Sequence, residues 1–214
     1  LNACLCFLPT LDGKAVFTVE YLRAQCGGEL HPVQQALVDC HGSQCGFCTP
    51  GFAMSLWALY NACVADGSRP DAARIRSTLT GNLCRCTGYR PIVDAGQRMF
   101  ELPVRALDRD VLRRDLLALQ RQGTLDYADL GARFLAPRTL SELLALRARH
   151  PEATVLAGGT DVGLWVNKQL RTLGTVLYLG EVAELRRVVE DDGVLHIGAG
   201  ASLTTAFAAL ARHW

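Results

Sequence analysis

The chain has 214 residues, half of them hydrophobic, which is enough for one or two domains with a sizeable buried core. Its 22 Lys and Arg balance 21 Asp and Glu, so the charge gives no reason to expect nucleic acid or an anionic membrane surface as a partner. No apolar run approaches the roughly 20 residues of a membrane span, and no secretion signal opens the chain. We therefore predict a cytoplasmic protein that binds neither nucleic acid nor membrane.

The first 22 residues contain one strand signal, the alternating stretch Ala15–Glu20. One strand is too little for a domain. Because the chain also does not begin with Met, we expect residues 1–22 to be the C-terminal remnant of a domain whose earlier part lies upstream.

Residues 23–100 have helical periodicity and predict a compact bundle of four helices. Three helices are expected to begin at Pro32, Pro50 and Pro91, because proline suits the first turn of a helix. A fourth, short helix is expected over Asp71–Leu79. The predicted inner faces carry Phe52, Leu56, Leu59, Tyr60, Cys63, Ile92, Ala95 and Met99.

Residues 101–133 are rich in alternating charges, and we predict a linker with one solvated helix. From Phe134 the pattern becomes α/β. Thr139 and Glu142 predict a capping box at the start of a helix.

The rest of the α/β part predicts short strands and a last helix. Strands are expected over 155–157 and 175–179, followed by a hairpin that turns at Asp191-Asp192-Gly193. Ser202 or Thr204 is expected to cap a helix that runs to Trp214. The predicted fold class is therefore α+β with several domains: a four-helix bundle and then the first part of an α/β domain.

The nine cysteines all lie in the first 86 residues: Cys4, Cys6, Cys26, Cys40, Cys45, Cys48, Cys63, Cys84 and Cys86. An odd count without a secretion signal argues against a disulfide framework. Cysteines crowded into one part of such a chain more often bind metal.

Four of these cysteines form two short pairs, Cys45-x-x-Cys48 and Cys84-x-Cys86, each just ahead of a predicted helix that starts at proline. Two such pairs can supply four thiolates to an iron–sulfur cluster or to a structural zinc ion. The one-residue spacing of Cys84 and Cys86 is unusual for zinc and suits the separate metal corners of a two-iron cluster. A helix start adds free N–H groups that favour an anionic cluster.

The residues around both pairs resemble the iron–sulfur module of the molybdenum hydroxylases, a family of xanthine dehydrogenases, aldehyde oxidases and carbon monoxide dehydrogenases. The resemblance lies in residues 41–51 (HGSQCGFCTPG) and 81–92 (GNLCRCTGYRPI). It implies that these four cysteines ligate the 2Fe–2S cluster nearer the molybdenum cofactor. It also implies that Gln44 and Cys86 lie close to the pterin of that cofactor, held by a partner; alternatively, Gln44 only caps its loop.

A second cluster is implied by Asn2-Ala3-Cys4-Leu5, which resembles the stretch that carries the fourth ligand of a plant-type 2Fe–2S cluster. Cys4 is then a metal ligand whose three companions lie upstream of this chain. The cysteines outside these motifs are expected to be small buried hydrophobic residues. They are Cys6, Cys26, Cys40 and Cys63.

A glycine-containing loop follows the first predicted strand of the α/β part. Its glycines would let backbone N–H groups approach a pyrophosphate, although the loop also reads as a simple tight turn. It lacks the Gly-x-Gly-x-x-Gly pattern of a nicotinamide site and resembles the first FAD-binding loop of the same hydroxylases. The predicted FAD-binding residues are Val155, Leu156, Ala157, Gly158, Gly159, Thr160, Asp161 and Val162.

The order of modules resembles the small iron–sulfur/FAD subunit of bacterial xanthine dehydrogenases. The domains implied are 1–22, a ferredoxin remnant; 23–100, the 2Fe–2S bundle; 101–133, the linker; and 134–214, a truncated FAD-binding domain of PCMH-like fold. Electrons would pass from a molybdenum cofactor on a large partner subunit, through 2Fe–2S clusters, to FAD and then NAD, in a higher hetero-oligomer.

Three alternatives stay open at this point. The chain could serve another molybdenum hydroxylase, because the substrate pocket would belong to the partner. It could be a zinc-stabilised helical interaction module. It could also be a folded remnant without cofactors.

Overall fold

The computed structural model describes residues 3–212, which form two compact units. The helical unit comprises Ala15–Arg114. The α/β unit comprises the chain up to Lys14 and from Asp115 onward. None of the helices within residues 3–212 has the length and hydrophobicity that crossing a membrane would take.

The helical unit contains the four predicted helices and one that was not predicted. The helices are α1 (Val19–Gln25), α2 (Pro32–Asp39), α3 (Thr49–Asp66), α4 (Ala72–Thr78) and α5 (Arg90–Arg98). A further helix, α6 (Arg109–Ala118), crosses the boundary between the units and confirms the solvated helix predicted for the linker.

The strand predicted over Ala15–Glu20 is wrong, because α1 begins at Val19 and no strand forms in this stretch. Phe17 and Tyr21 pack on Trp57 of α3 with ring centroids 5.3 and 6.1 Å away. Alternating residues make a strand only where a neighbouring strand can pair with them. Here the aromatic side chains are partly buried against a helix instead.

The core of the helical unit is built around α3, whose residues Leu56 and Tyr60 are almost fully buried. The faces predicted from helical spacing all lie in this core. Gly96 of α5 permits a close approach, since an added Cβ would lie 2.8 Å from Ile75 Cγ2 and 3.1 Å from Leu56 Cδ2. A larger residue there would push α5 away from α3 and α4.

Local signals fix the ends of these helices. His31 makes a capping box at the start of α2, in which its ring accepts from Val33 N–H and Gln34 accepts from the His31 N–H. The Asp71 carboxylate caps α4 by accepting from Arg74 N–H. Gly67 ends α3 in the left-handed conformation, with φ of 70°.

The α/β unit contains a four-stranded sheet in the order β1-β2-β4-β3. Its strands are β1 (Leu125–Asp129), β2 (Ala132–Ala136), β3 (Thr154–Leu156) and β4 (Thr175–Tyr178). β1 and β2 are antiparallel, whereas β4 runs parallel to both β2 and β3. The sheet begins at Leu125, so β1 lies inside the stretch predicted to be linker.

Both faces of this sheet are covered. On one face, Leu135 and Leu177 pack against Leu143 and Leu146 of α7 (Leu140–Arg149), which starts at the predicted Thr139 capping box. On the other face, Leu156 of β3 packs in a second cluster. Because successive side chains of β2 and β4 point to opposite faces of the sheet, each of these strands contributes residues to both small cores.

The remaining elements include α8 (Val162–Asn167), directly after β3, and the hairpin of β5 (Val188–Asp191) and β6 (Val194–Ile197). The predicted turn at Asp191-Asp192-Gly193 is confirmed. Ser202 caps α9 (Leu203–Leu210) through Thr205 N–H. The predicted end at Trp214 lies outside the described residues.

Candidate metal and flavin sites

The two cysteine motifs lie in loops that the helical unit holds at the starts of α3 and α5. Cys48 occupies the N-cap position of α3. The second loop is tied to α3, because Ser55 Oγ donates to Asn82 Oδ1 at 2.8 Å. The Tyr89 hydroxyl accepts from Cys84 N–H at 3.0 Å, which fixes that loop ahead of α5.

The structure brings the four cysteines together in two pairs that each combine one residue from each motif. The Cys86 and Cys45 sulfur atoms are 3.5 Å apart, with Cys86 as the donor. Cys48 and Cys84, again one residue from each motif, also interact, and this interaction contributes to raising the pKa of the Cys48 thiol. All four are free thiols, like the other five cysteines of the chain.

The surroundings of Cys84 favour a thiolate. The Thr87 hydroxyl lies 3.2 Å from Cys84 Sγ, and the N–H groups of Cys86 and Thr87 each donate to that sulfur at 3.4 Å. These hydrogen bonds, Thr87 first, lower the pKa of the Cys84 thiol to about 7.

The pKa values of the other three thiols are shifted by hydrogen bonds and by burial. The Phe47 N–H is the main cause that lowers the pKa of Cys45, followed by the Cys86 thiol. The pKa of Cys86 is raised, chiefly because it donates to Cys45. Burial, then the bond to Cys84, raises the pKa of Cys48. The thiolate form is therefore favoured at Cys45 and Cys84 and disfavoured at Cys48 and Cys86.

The arrangement suits two metal centres better than one. Among residues 3–212, no three His, Cys, Asp or Glu side chains are close enough together to hold a single ion. Four thiolates around one zinc ion at ~2.3 Å would all lie about 3.8 Å from each other. Here Cys45 contacts Cys86 at 3.5 Å and Cys48 interacts with Cys84, so each pair could serve one of two metal corners, although the Cys84 charge also influences the pKa of Cys45.

The surface around the thiols is apolar as well as exposed. Phe47 and Leu83, which flank the cysteines in the two loops, are 96% and 80% exposed. Gln44 is also exposed. The sequence assigned no role to Phe47 or Leu83, although both lie inside the two motifs.

The predicted flavin loop connects β3 to α8. Gly159 has φ of 79°, a conformation that residues with a Cβ rarely adopt, and its carbonyl accepts from Gly163 N–H at 2.8 Å. A cavity of about 260 Å³ opens beside this loop. Of the eight predicted residues, Leu156, Ala157, Gly158, Gly159 and Thr160 line the cavity. Val155, Asp161 and Val162 are not among its lining residues.

The N-terminal segment, which the sequence did not place beside the flavin loop, also lines this cavity. Phe7, Thr10 and Lys14 line it together with Tyr178 of β4. Lys14 is the one charged residue among the lining residues; its Nζ donates to the Thr10 carbonyl at 2.7 Å and lies 3.5 Å from Glu181. No local sequence signal links this segment to the loop, because the two are about 145 residues apart.

The remaining cysteines have different surroundings. Cys4 lies in a short 3₁₀ helix, Ala3–Leu5, of the α/β unit; its thiol is exposed, and its carbonyl accepts from the Asn167 side chain. Asn2 of the same motif lies outside the described residues. Cys63 is fully buried, as predicted, whereas Cys6, Cys26 and Cys40 are only half-buried.

Two family models match the chain. A "[2Fe-2S] binding domain" matches residues 18–97, and an "FAD binding domain in molybdopterin dehydrogenase" matches residues 129–214.

Curated relatives match nearly the whole chain. It is 31% identical to xanthine dehydrogenase of Emericella nidulans, 33% identical to aldehyde oxidase 2 of Cavia porcellus and 29% identical to xanthine dehydrogenase 1 of Arabidopsis thaliana, each over 95% of this chain. The chain spans only 18–19% of the length of these relatives. A solved structure, quinoline 2-oxidoreductase from Pseudomonas putida 86, matches at 33% identity with a TM-score of 0.33, covering 45% of this chain and 52% of that one.

The two matched domains define a protein of the iron–sulfur flavoprotein class. The thiols of the helical unit and the glycine loop of the α/β unit agree with this class. More narrowly, the chain belongs to the molybdenum hydroxylase family and carries the iron–sulfur and FAD-binding region of such proteins.

Proposed function

We propose that this chain is the electron-transfer region of a molybdenum hydroxylase of the xanthine dehydrogenase type. In this proposal, Cys45, Cys48, Cys84 and Cys86 ligate a 2Fe–2S cluster, and the loop of residues 156–160 binds FAD. The two cross-motif thiol pairs carry the proposal, because two thiolates for each of two irons is the ligand set of such a cluster.

The cluster, when bound, supplies one-electron transfer. The chain's own residues hold and tune it. The helix starts of α3 and α5 position the cysteine loops, and the Cys86 and Thr87 N–H groups with the Thr87 hydroxyl stabilise negative charge on Cys84 Sγ.

At the flavin loop, the glycine backbone and Lys14 offer N–H groups and a positive charge to a pyrophosphate. The cavity is smaller than the roughly 300–1,000 Å³ of typical ligand sites, so it would hold only part of an FAD molecule. Because the relatives are about five times longer, we place the molybdenum cofactor and the substrate pocket on a large partner subunit, within a higher hetero-oligomer.

The proposal extends to the family member, a second cluster and the compartment. The order of the iron–sulfur and flavin domains on one chain favours xanthine dehydrogenase, with NAD as the electron acceptor, but aldehyde oxidases match equally well. Cys4 is proposed to ligate a plant-type cluster with cysteines supplied from upstream. Nine free cysteines suit a reducing compartment such as the cytoplasm.

The test is the iron, zinc and flavin content of the protein purified under anaerobic, iron-replete conditions. We expect two irons per chain from the four-cysteine site, with visible absorbance. A colourless protein with one zinc ion, which unfolds on chelation, would establish the zinc-stabilised interaction module in its place. Free thiols with neither metal nor flavin would mean a folded remnant.

A further inference from the structure

The first part of the predicted linker is bound to the helical unit through its main chain. Arg105 N–H donates to the Tyr60 hydroxyl at 3.0 Å, and the Arg105 carbonyl lies 2.9 Å from His31 Nε2. Leu107 N–H donates to Asn61 Oδ1 at 2.8 Å. Three main-chain groups are thus satisfied by three side chains of the helical unit.

Those three side chains are themselves buried and held in place. His31, Tyr60 and Asn61 are 0%, 1% and 6% exposed. His31 Nδ1 accepts from Val33 N–H, so Nε2 carries the ring proton and donates to Arg105. Asn61 Nδ2 donates to the Trp57 carbonyl at 2.9 Å, which leaves its Oδ1 directed at Leu107.

Hydrophobic contacts hold only the two ends of this stretch, where Leu102 and Leu107 pack against the core of the helical unit. The side chains of residues 103–106 between them are all exposed, with Val104 at 64%. The stretch also belongs to no helix or strand. A buried polar side chain without a hydrogen-bond partner costs free energy. The main-chain groups of Arg105 and Leu107 supply partners to the buried side chains of His31, Tyr60 and Asn61, and this stabilises the contact.

We propose that His31, Tyr60 and Asn61 form an anchor for residues 105–107, which fixes the predicted linker to the helices of this unit at least as far as Leu107. These are positioning residues, and they act independently of any cofactor. Seven unanchored residues, 101–107, would add roughly 23–25 Å of reach to the connection.

The wild-type chain gives the first test, by hydrogen exchange resolved to single amides in the full-length protein. The Arg105 and Leu107 amides should exchange at least 10-fold more slowly than those of Val104 and Ala106. Equal exchange at all four positions would overturn the anchor.

Variants give the second test. Tyr60→Phe keeps the ring and removes the hydroxyl, and it should speed exchange of the Arg105 amide roughly 5-fold. Asn61→Ala should do the same at Leu107, and Asn61→Asp, which keeps an acceptor oxygen, should restore protection. Tyr21→Phe, a matched change on α1, should leave both amides unchanged. If Tyr60→Phe instead speeds exchange equally throughout α3, Tyr60 only stabilises the core and the proposal is wrong.

Discussion

Cys86 follows Cys45 by 41 positions, yet their sulfur atoms lie 3.5 Å apart. We predict that Cys45→Ser and Cys86→Ser each remove one ligand from the same iron and lower the iron content of the chain from two to one or none. Visible absorbance and iron analysis measure this. The other unit should keep its fold, as shown by circular dichroism.

Cys40→Ala is the matched control, since Cys40 is a half-buried cysteine of the helical unit outside both motifs. It should retain iron. If the two serine variants bind iron as the wild type does, the four-cysteine site is wrong.

His31 should make the stability of the helical unit depend on pH. Burial, partly offset by the bond to the Arg105 carbonyl, lowers the pKa of His31. The folded state therefore keeps the ring neutral while the unfolded state takes up a proton near pH 6.5. The stabilisation is fully present above the unfolded pKa and is lost as pH falls through 6.5 towards the folded pKa.

Urea unfolding at pH 7.5 and 5.5 measures this loss. His31→Asn, which can still cap α2, should remove the His31 contribution to the difference between the two pH values. His41→Asn is a matched control at an exposed histidine whose positive φ suits Asn, and it should preserve the difference. An unchanged pH dependence in His31→Asn would contradict the prediction.

Gly96→Ala should destabilise the helical unit by about 1–2 kcal/mol. Alanine favours a helix over glycine by roughly 0.5–1 kcal/mol. The added methyl group would, however, lie 2.8 Å from Ile75 Cγ2 and 3.1 Å from Leu56 Cδ2, and overpacking of this kind costs about 1–3 kcal/mol. Thermal unfolding measures the sum.

Gly123→Ala is the control for the same chemical change, because an added Cβ there meets nothing within 4 Å. It should leave the unfolding of the helical unit unaltered. A rise in stability of Gly96→Ala would show that α5 can shift away from α4 at little cost.

Lys14→Gln should weaken the binding of FAD by roughly 5-fold, about 1 kcal/mol, because it removes the one positive charge lining the cavity. The effect is modest because Glu181, 3.5 Å away, already offsets part of that charge. Quenching of flavin fluorescence on titration gives the affinity. Lys168→Gln, an exposed lysine at the end of α8, should bind as the wild type does; equal affinities for all three proteins would rule out a role for Lys14.

The sequence predicted the local features that depend on nearby residues. Prolines and apolar spacing located α2, α3, α4 and α5, and side-chain caps at Thr139 and Ser202 located α7 and α9. These signals act within one or two turns of a helix, so neighbouring residues carry the whole of the information. The strand predicted over Ala15–Glu20 failed because a strand needs a partner, and Phe17 packs on Trp57 in its place.

The two cysteine motifs likewise identified the metal ligands proposed here, but not which thiol lies beside which. Only the packing of α3 against the other helices sets Cys86 beside Cys45. The N-terminal lining of the flavin cavity and the anchoring of residues 105–107 also needed tertiary structure. Each joins groups that are distant along the chain, and such contacts are fixed by packing and by the need to satisfy buried polar atoms, which no local pattern records.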